Sequence, residues 1–296
     1  MTECTLISSF EYQVKPTKPH KTQSPRSKEE TFNCPSIEDA VLEILNKEDP
    51  NIIAFGERHP RGGDDGTKKT TLKLFADKIL PILAKHGYQN LVFEELFSDP
   101  EADKAAAQYF RGERTFEDLE YGGYFYSAPS VNYYGVKELF RTAKDLKVQI
   151  FGGGPSKNDP EIYYDMSDPE IALDWKYVAA LVKKVNKGSQ QKILKLLKQG
   201  KTKVASYGGG EHNDIVDRSP TKGFNFGKFF KFKTRFRYTE VDLLSPELMG
   251  KGRYKDYAYP EYERWLKSAV PQQGVNLIKR GNSSFTIIFP AGTLER

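Results

Sequence analysis

The chain has 296 residues, 38% of them hydrophobic and 29% charged, which suffices for one large α/β domain or two small ones. Its formal charge of +5 permits anionic partners without requiring them. No apolar run approaches the roughly 20 residues that span a bilayer, and Met1 to Tyr12 has neither a basic n-region nor a sizeable apolar stretch, so neither a transmembrane segment nor a cleaved signal peptide is expected.

Both cysteines, Cys4 and Cys34, lie near the N-terminus. Their spacing suggests neither a disulfide scaffold nor a zinc cluster. A reducing, cytoplasmic compartment is therefore the default, with secretion by a route lacking a cleaved signal left open. Residues 11 to 31 are Pro, Lys, Thr, Ser and Glu with almost nothing apolar, and 1–35 reads as a flexible polar tail in which His20 is inert. A single α/β domain is expected over 36–296.

Ser36 is placed to cap a helix carrying Ile37, Val41, Leu42, Ile44 and Leu45, which Asp49-Pro50 stops. A strand follows at 52–55, then a Gly/Asp-rich loop. The spacing of Leu72, Phe75, Ile79, Ile82 and Leu83 predicts a helix over 67–86, with His86 near its C-terminus in a capping role. A second strand at 90–94 and a helix at 100–110 come next. Tyr121 to Tyr134 is dense in aromatic residues. It reads either as a packed loop plugging the core or as a pocket wall in which Tyr124, Tyr126 and Tyr133 contact substrate.

A helix is expected over 134–146 and a strand over 148–151. Gly152-Gly153-Gly154 is a strand-end turn, because no Gly-Lys-Ser/Thr or GxGxxG follows. One or two amphipathic helices fill 170–200, their lysines forming a solvated face, and a strand at 203–207 leads into Glu211-His212. From Phe230 to Tyr238 rings and basic residues alternate on opposite faces. A nucleic-acid stacking platform needs them together, so no nucleic-acid partner is expected and this segment reads as an edge strand guarded by Lys and Arg. A last strand covers 285–289, and the Asn282-Ser283-Ser284 sequon is discounted for want of a secretion signal. Strands alternating with helices predict an α/β fold: a mostly parallel central sheet with flanking helices, a cleft at the strand C-terminal ends, and extra antiparallel strands near the C-terminus.

The chemistry gathers at those strand ends. Asn51 to Phe55 stops at Gly56-Glu57-Arg58-His59. Val204 to Tyr207 stops at Gly208-Gly209-Gly210-Glu211-His212-Asn213-Asp214. Between them Leu91-Val92-Phe93 ends in Glu94-Glu95. Any one of these acids or imidazoles is more simply a solvated loop residue. Their recurrence after apolar runs puts Glu57, His59, Glu94, Glu211 and His212 at one sheet edge, where open α/β sheets bind ligands. Arg58 and Asp214 lie beside them as candidate substrate contacts. Whether Glu94 or Glu95 points into the cleft stays open, since neighbours in a strand face opposite ways.

On Gly56-Glu57-Arg58-His59, the strand-end Glu94, and the glycines before His212, the chain resembles the superfamily that joins erythromycin esterases, ChaN-like haem-binding proteins, TIKI-type metalloproteases and a domain of some large bacterial toxins. The resemblance implies an α/β fold with Glu57, His59, Glu94 and His212 lining the cleft. Esterase-like members imply a histidine that activates water, TIKI-like members a divalent metal at these positions, and ChaN-like members haem. Glu211 and Glu95 depart from the pattern and favour a cation over an anionic ligand.

Three functions are expected, in this order. The first is a hydrolase of an ester or amide bond in a small molecule or peptide. His59 would be the general base, oriented by Glu57 or Glu94, and His212 would polarise the substrate or act as a second base. In its metal variant His59, Glu57, Glu94, His212 and Glu211 supply ligands for zinc, manganese or iron. The second is a haem or tetrapyrrole binder with one histidine as axial ligand. The third is a non-catalytic secreted effector or toxin-associated domain.

Overall fold

A computed structural model describes residues 3–13, 26–57, 70–125, 135–159, 175–215, 225–248 and 260–295. His20, Arg58, His59, Tyr126 and Tyr133 lie outside them, as does the side chain of Glu211. In chain order the elements are β1 (Thr5–Gln13), β2 (Arg26–Cys34), α1 (Ile37–Glu48), β3 (Ile52–Glu57), α2 (72–85), β4 (Asn90–Phe93), α3 (Pro100–Phe110), α4 (Phe116–Tyr121), α5 (Val136–Asp145), β5 (Gln149–Gly152), α6 (Trp175–Lys198), β6 (Val204–Gly209), the single turn α7 (Gly210–Asn213), α8 (Gly227–Lys233), β7 (Tyr238–Leu244), α9 (Pro260–Ser268), β8 (Val275–Gly281) and β9 (Ser284–Ile288). α2 carries a π-helical turn at Phe75–Ile79.

The nine strands form one sheet in the order β1-β2-β8-β9-β7-β3-β6-β4-β5. From β9 to β5 neighbours run parallel; from β9 outward through β8 and β2 to β1 they run antiparallel. This is the α/β architecture expected. β3 and β4 are near-continuous apolar runs because helices cover both faces. On one face Ile53, Phe55, Leu91, Phe93 and Tyr207 pack under α1, α2 and α5. On the other, Ile52, Ala54, Val92 and Val204 pack under Ile193, Leu196 and Leu197 of α6 and Phe230 of α8. Ser36 caps α1, its hydroxyl accepting from the Asp39 amide at 3.0 Å, and Asp49, at φ 37°, ends it in the left-handed region. Gly152 to Gly154 is the strand-end turn anticipated, with the Gly153 amide donating to the Phe93 carbonyl at 2.8 Å.

Three expectations are corrected. Regular structure begins well before Ser36: β1 and β2 pair with each other and β2 pairs with β8. β2 is poor in apolar residues but buries polar ones with partners, Glu29 accepting from Arg264 at 2.7 Å and from the Trp265 indole at 3.2 Å. Second, Cys4 and Cys34 form a disulfide. The pairing of Thr5 with Asn33 brings the cysteines together, and a separation of 30 residues hides that turn-back in the sequence. The reducing-compartment expectation rested on unpaired thiols and loses that support. Third, Phe230 to Tyr238 is not an edge strand. Gly227–Lys233 is helical, so Phe230 is buried while Phe232 is 63% exposed, and β7 begins only at Tyr238 in the middle of the sheet. The period-two pattern there mixes the end of a helix with the start of a strand. Among the described residues no helix is long and apolar enough to cross a membrane.

Candidate active site

β3, β4 and β6 are neighbours in the sheet and end at the same edge. Strand parity divides their acids between the two faces. Glu57 follows Ile53 and Phe55 onto the α2 face. There its Oε2 accepts from the Thr71 amide and from Thr71 Oγ1, both at 2.8 Å, and Thr71 Oγ1 lies 3.0 Å from the Tyr207 hydroxyl. Burial, and then the negative charge of Glu57, push the Tyr207 phenol well above its ordinary pKa. Glu57, Thr70, Leu72, Phe93, Glu95 and Tyr207 line a recess on this face.

Glu94 follows Val92 onto the α6 face. Its Oε2 accepts from the Gly209 amide at 2.5 Å, and its Oε1 stands 3.3 Å from His212 Nε2. A carboxylate at Nε2 favours the tautomer protonated on that nitrogen, with the lone pair on Nδ1. Nδ1 is buried and, among the described residues, has no hydrogen-bond partner. Gly208 makes the approach feasible, because a Cβ there would fall inside van der Waals contact of Glu94 Oε2. Glu94, Ser189, Ser206, His212, Asn213 and Phe226 line the recess on this side.

The His212 segment is held on both flanks. The His212 carbonyl accepts from the Phe226 amide at 2.9 Å. Asn213 Nδ2 donates to the Ala54 carbonyl at 3.0 Å, and the Asn213 carbonyl accepts from the Tyr238 hydroxyl at 2.6 Å. The Ile215 amide donates to Glu240. Glu240 is paired with buried Arg280 at 2.9 Å, whose other nitrogen donates to Asp242 at 2.5 Å. Burial, chiefly, also raises the Tyr238 phenol well above its ordinary pKa.

The structure thus brings Glu94 and His212 together and selects Glu94 over Glu95, which lines the Glu57 recess. Asp214 is 0% exposed, with its carbonyl accepting from the Lys228 amide at 3.1 Å. Tyr124 lines neither recess; its ring lies 5.8 Å from the Arg114 guanidinium and its carbonyl accepts from the Phe97 amide at 3.0 Å. Arg58, His59, Tyr126, Tyr133 and the Glu211 side chain fall outside the described residues. Sequence reasoning missed Thr71, Tyr207 and Ser189. Tyr207 was open to detection, since parity within β6 turns it opposite to Gly208, whereas Thr71 and Ser189 carry no signal of their own.

As a metal centre the described residues do not fit. No group of three or more His, Cys, Asp or Glu among them could hold an ion, and Glu57 and Glu94 face opposite sides of the sheet. A zinc, manganese or iron ion on Glu94 and His212 would need further ligands from His59 and Glu211.

No protein-family model matches the sequence, and no curated protein matches it. Among solved structures the chain is similar to an erythromycin esterase variant in its open conformation, at 10% identity over 84% of this chain and 93% of that one, with a TM-score of 0.48. It is similar to the type III effector HopBA1 at 14% identity, over 88% of this chain and 97% of that one, with a TM-score of 0.43. The C-terminal region of Pasteurella multocida toxin gives 12% identity over 71% of this chain and 25% of that one, with a TM-score of 0.41. These likenesses are remote and concern the arrangement of strands and helices.

Proposed function

We propose that the chain is a hydrolase of ester or amide bonds in which His212 acts as the base and Glu94 as its orienting carboxylate. One observation carries this reading: His212 is held at Nε2 by Glu94 while Nδ1 is buried and has no partner among the described residues. Buried polar atoms in folded proteins are nearly always hydrogen-bonded, so such an exception calls for a role. In the proposed step a water oxygen adds to the carbonyl carbon and its proton passes to Nδ1. Glu94 stabilises the imidazolium so formed, and the Gly209 amide holds the Glu94 carboxylate in place. The proton is then delivered to the leaving oxygen or nitrogen as the carbonyl reforms. No step is routed through a metal or haem, and His59 remains a candidate second histidine.

The test is turnover on a panel of activated esters and anilides. His212→Gln and Glu94→Gln are expected to lose roughly 10²–10⁴-fold, the usual contribution of a positioned general base, with folding preserved by circular dichroism. A His212→Gln protein that keeps wild-type turnover overturns the proposal.

A further inference from the structure

α6 carries a buried polar stripe that the proposed proton transfer does not use. Asn186, Ser189 and Lys192 recur at intervals of three and all are buried. Ser189 Oγ donates to the Gly153 carbonyl at 2.8 Å. Lys192 Nζ donates to the Ser98 carbonyl at 3.2 Å and pairs with Asp103. Asn186 differs: at 6% exposure, neither its Oδ1 nor its Nδ2 has a partner among the described residues. An unsatisfied buried group destabilises the fold, and a bound molecule or an ordered water would remove that cost.

Its position follows from the connectivity. β5 ends at the sheet edge where Glu94 lies, and β6 starts at the opposite edge, so α6 runs antiparallel to the strands. Ser189 is level with Gly153, the first residue past β5, and Gly188 packs directly on the Gly154 carbonyl. Asn186 lies three residues nearer the helix start, about 4.5 Å further out past the strand ends. It is on the α6 face of the sheet, as Glu94 is, and one turn from Ser189, which lines the recess with His212.

We infer that Asn186 is a substrate-holding residue of this cleft and that the group it holds is a peptide-like carboxamide. The inference rests on the hydrolytic reading of Glu94 and His212 and narrows its substrate class. An Asn side chain presents an acceptor and a donor group together. One extended peptide residue directs its own N–H and C=O to the same side, as in strand pairing, and so matches both. An ester offers acceptors alone and leaves Oδ1 unsatisfied.

The probes are N-acetylalanine methylamide and its all-ester counterpart, methyl 2-acetoxypropanoate. The readout is the side-chain ¹⁵N–¹H signal of Asn186, identified by its loss in Asn186→Leu. The expected result is a saturable shift with the diamide and none with the diester. No shift with the diamide would mean that a bridging water satisfies Asn186, and an equal shift with the diester would remove the amide class; either overturns the inference. The two readings fail separately. A silent Asn186 beside an inactive His212→Gln sinks this inference alone, and a responsive Asn186 beside an active His212→Gln sinks the hydrolytic reading alone.

Discussion

Two buried glutamates at the same sheet edge have opposite surroundings. Glu57 gives one carboxylate oxygen to the amide and hydroxyl of Thr71, at the start of α2, and so ties β3 to the helix that follows. Glu94 gives one oxygen to the Gly209 amide and the other to an imidazole whose far nitrogen has no partner among the described residues. The first arrangement locks a chain crossing, while the second leaves a lone pair in reserve. Type and position in the sequence do not separate the two residues; the partners do.

The largest expected effect comes from exchanging their fates. Glu94→Gln should lose roughly 100-fold or more in turnover with little change in urea midpoint. Glu57→Ala strands Thr71's two donors and should cost about 2–4 kcal/mol of stability, while turnover per folded molecule stays near wild type. Equal losses of turnover in both variants would erase the distinction. A sharper probe is Gly208→Ala, which touches neither acid chemically but places a methyl against Glu94 Oε2. It should lower turnover about tenfold by displacing Glu94 from His212, on the order of 1.4 kcal/mol; unchanged turnover would show that the Glu94 position is not critical.

The smallest effect separates the two faces by pH. The Tyr207 phenol, on the Glu57 face, titrates well above its ordinary value when folded. Its stabilisation is therefore complete below the unfolded pKa of about 10 and is lost as pH rises past it, because the unfolded chain gives up a proton that the folded one keeps. Stability should fall by up to about 1.4 kcal/mol per pH unit from this group above pH 10. Tyr207→Phe should remove that share of the slope in urea titrations between pH 9 and 11 without altering it below pH 9.

Much of this was legible in the sequence. β3, β4, β5 and β6 stood out as apolar runs, and the Gly/Glu-His echo marked the edge where Glu57, Glu94 and His212 lie. What was hidden depends on contacts between distant segments. Cys4 meets Cys34 only through the β1–β2 pairing. Glu240 and Asp242 disguise β7, because acids in a central strand make sense only beside Arg280. The lysines of α6 read as a solvated face, yet Lys192 is buried and paired with Asp103, because a polar stripe carries no mark of which way it faces. Parity alone could not assign Glu57 and Glu94 to opposite faces, since that requires the register between β3, β6 and β4.

The most direct measurement is the tautomeric state of His212 at neutral pH, from two-bond ¹H–¹⁵N correlations on ¹⁵N-histidine protein, with His212→Gln identifying the ring. The predicted result is a neutral-form tautomer with its proton on Nε2 and a bare Nδ1, converting to the other tautomer or to a mixture in Glu94→Gln. A proton on Nδ1 and a bare Nε2 in the wild type would contradict the role assigned to the Glu94–His212 pair.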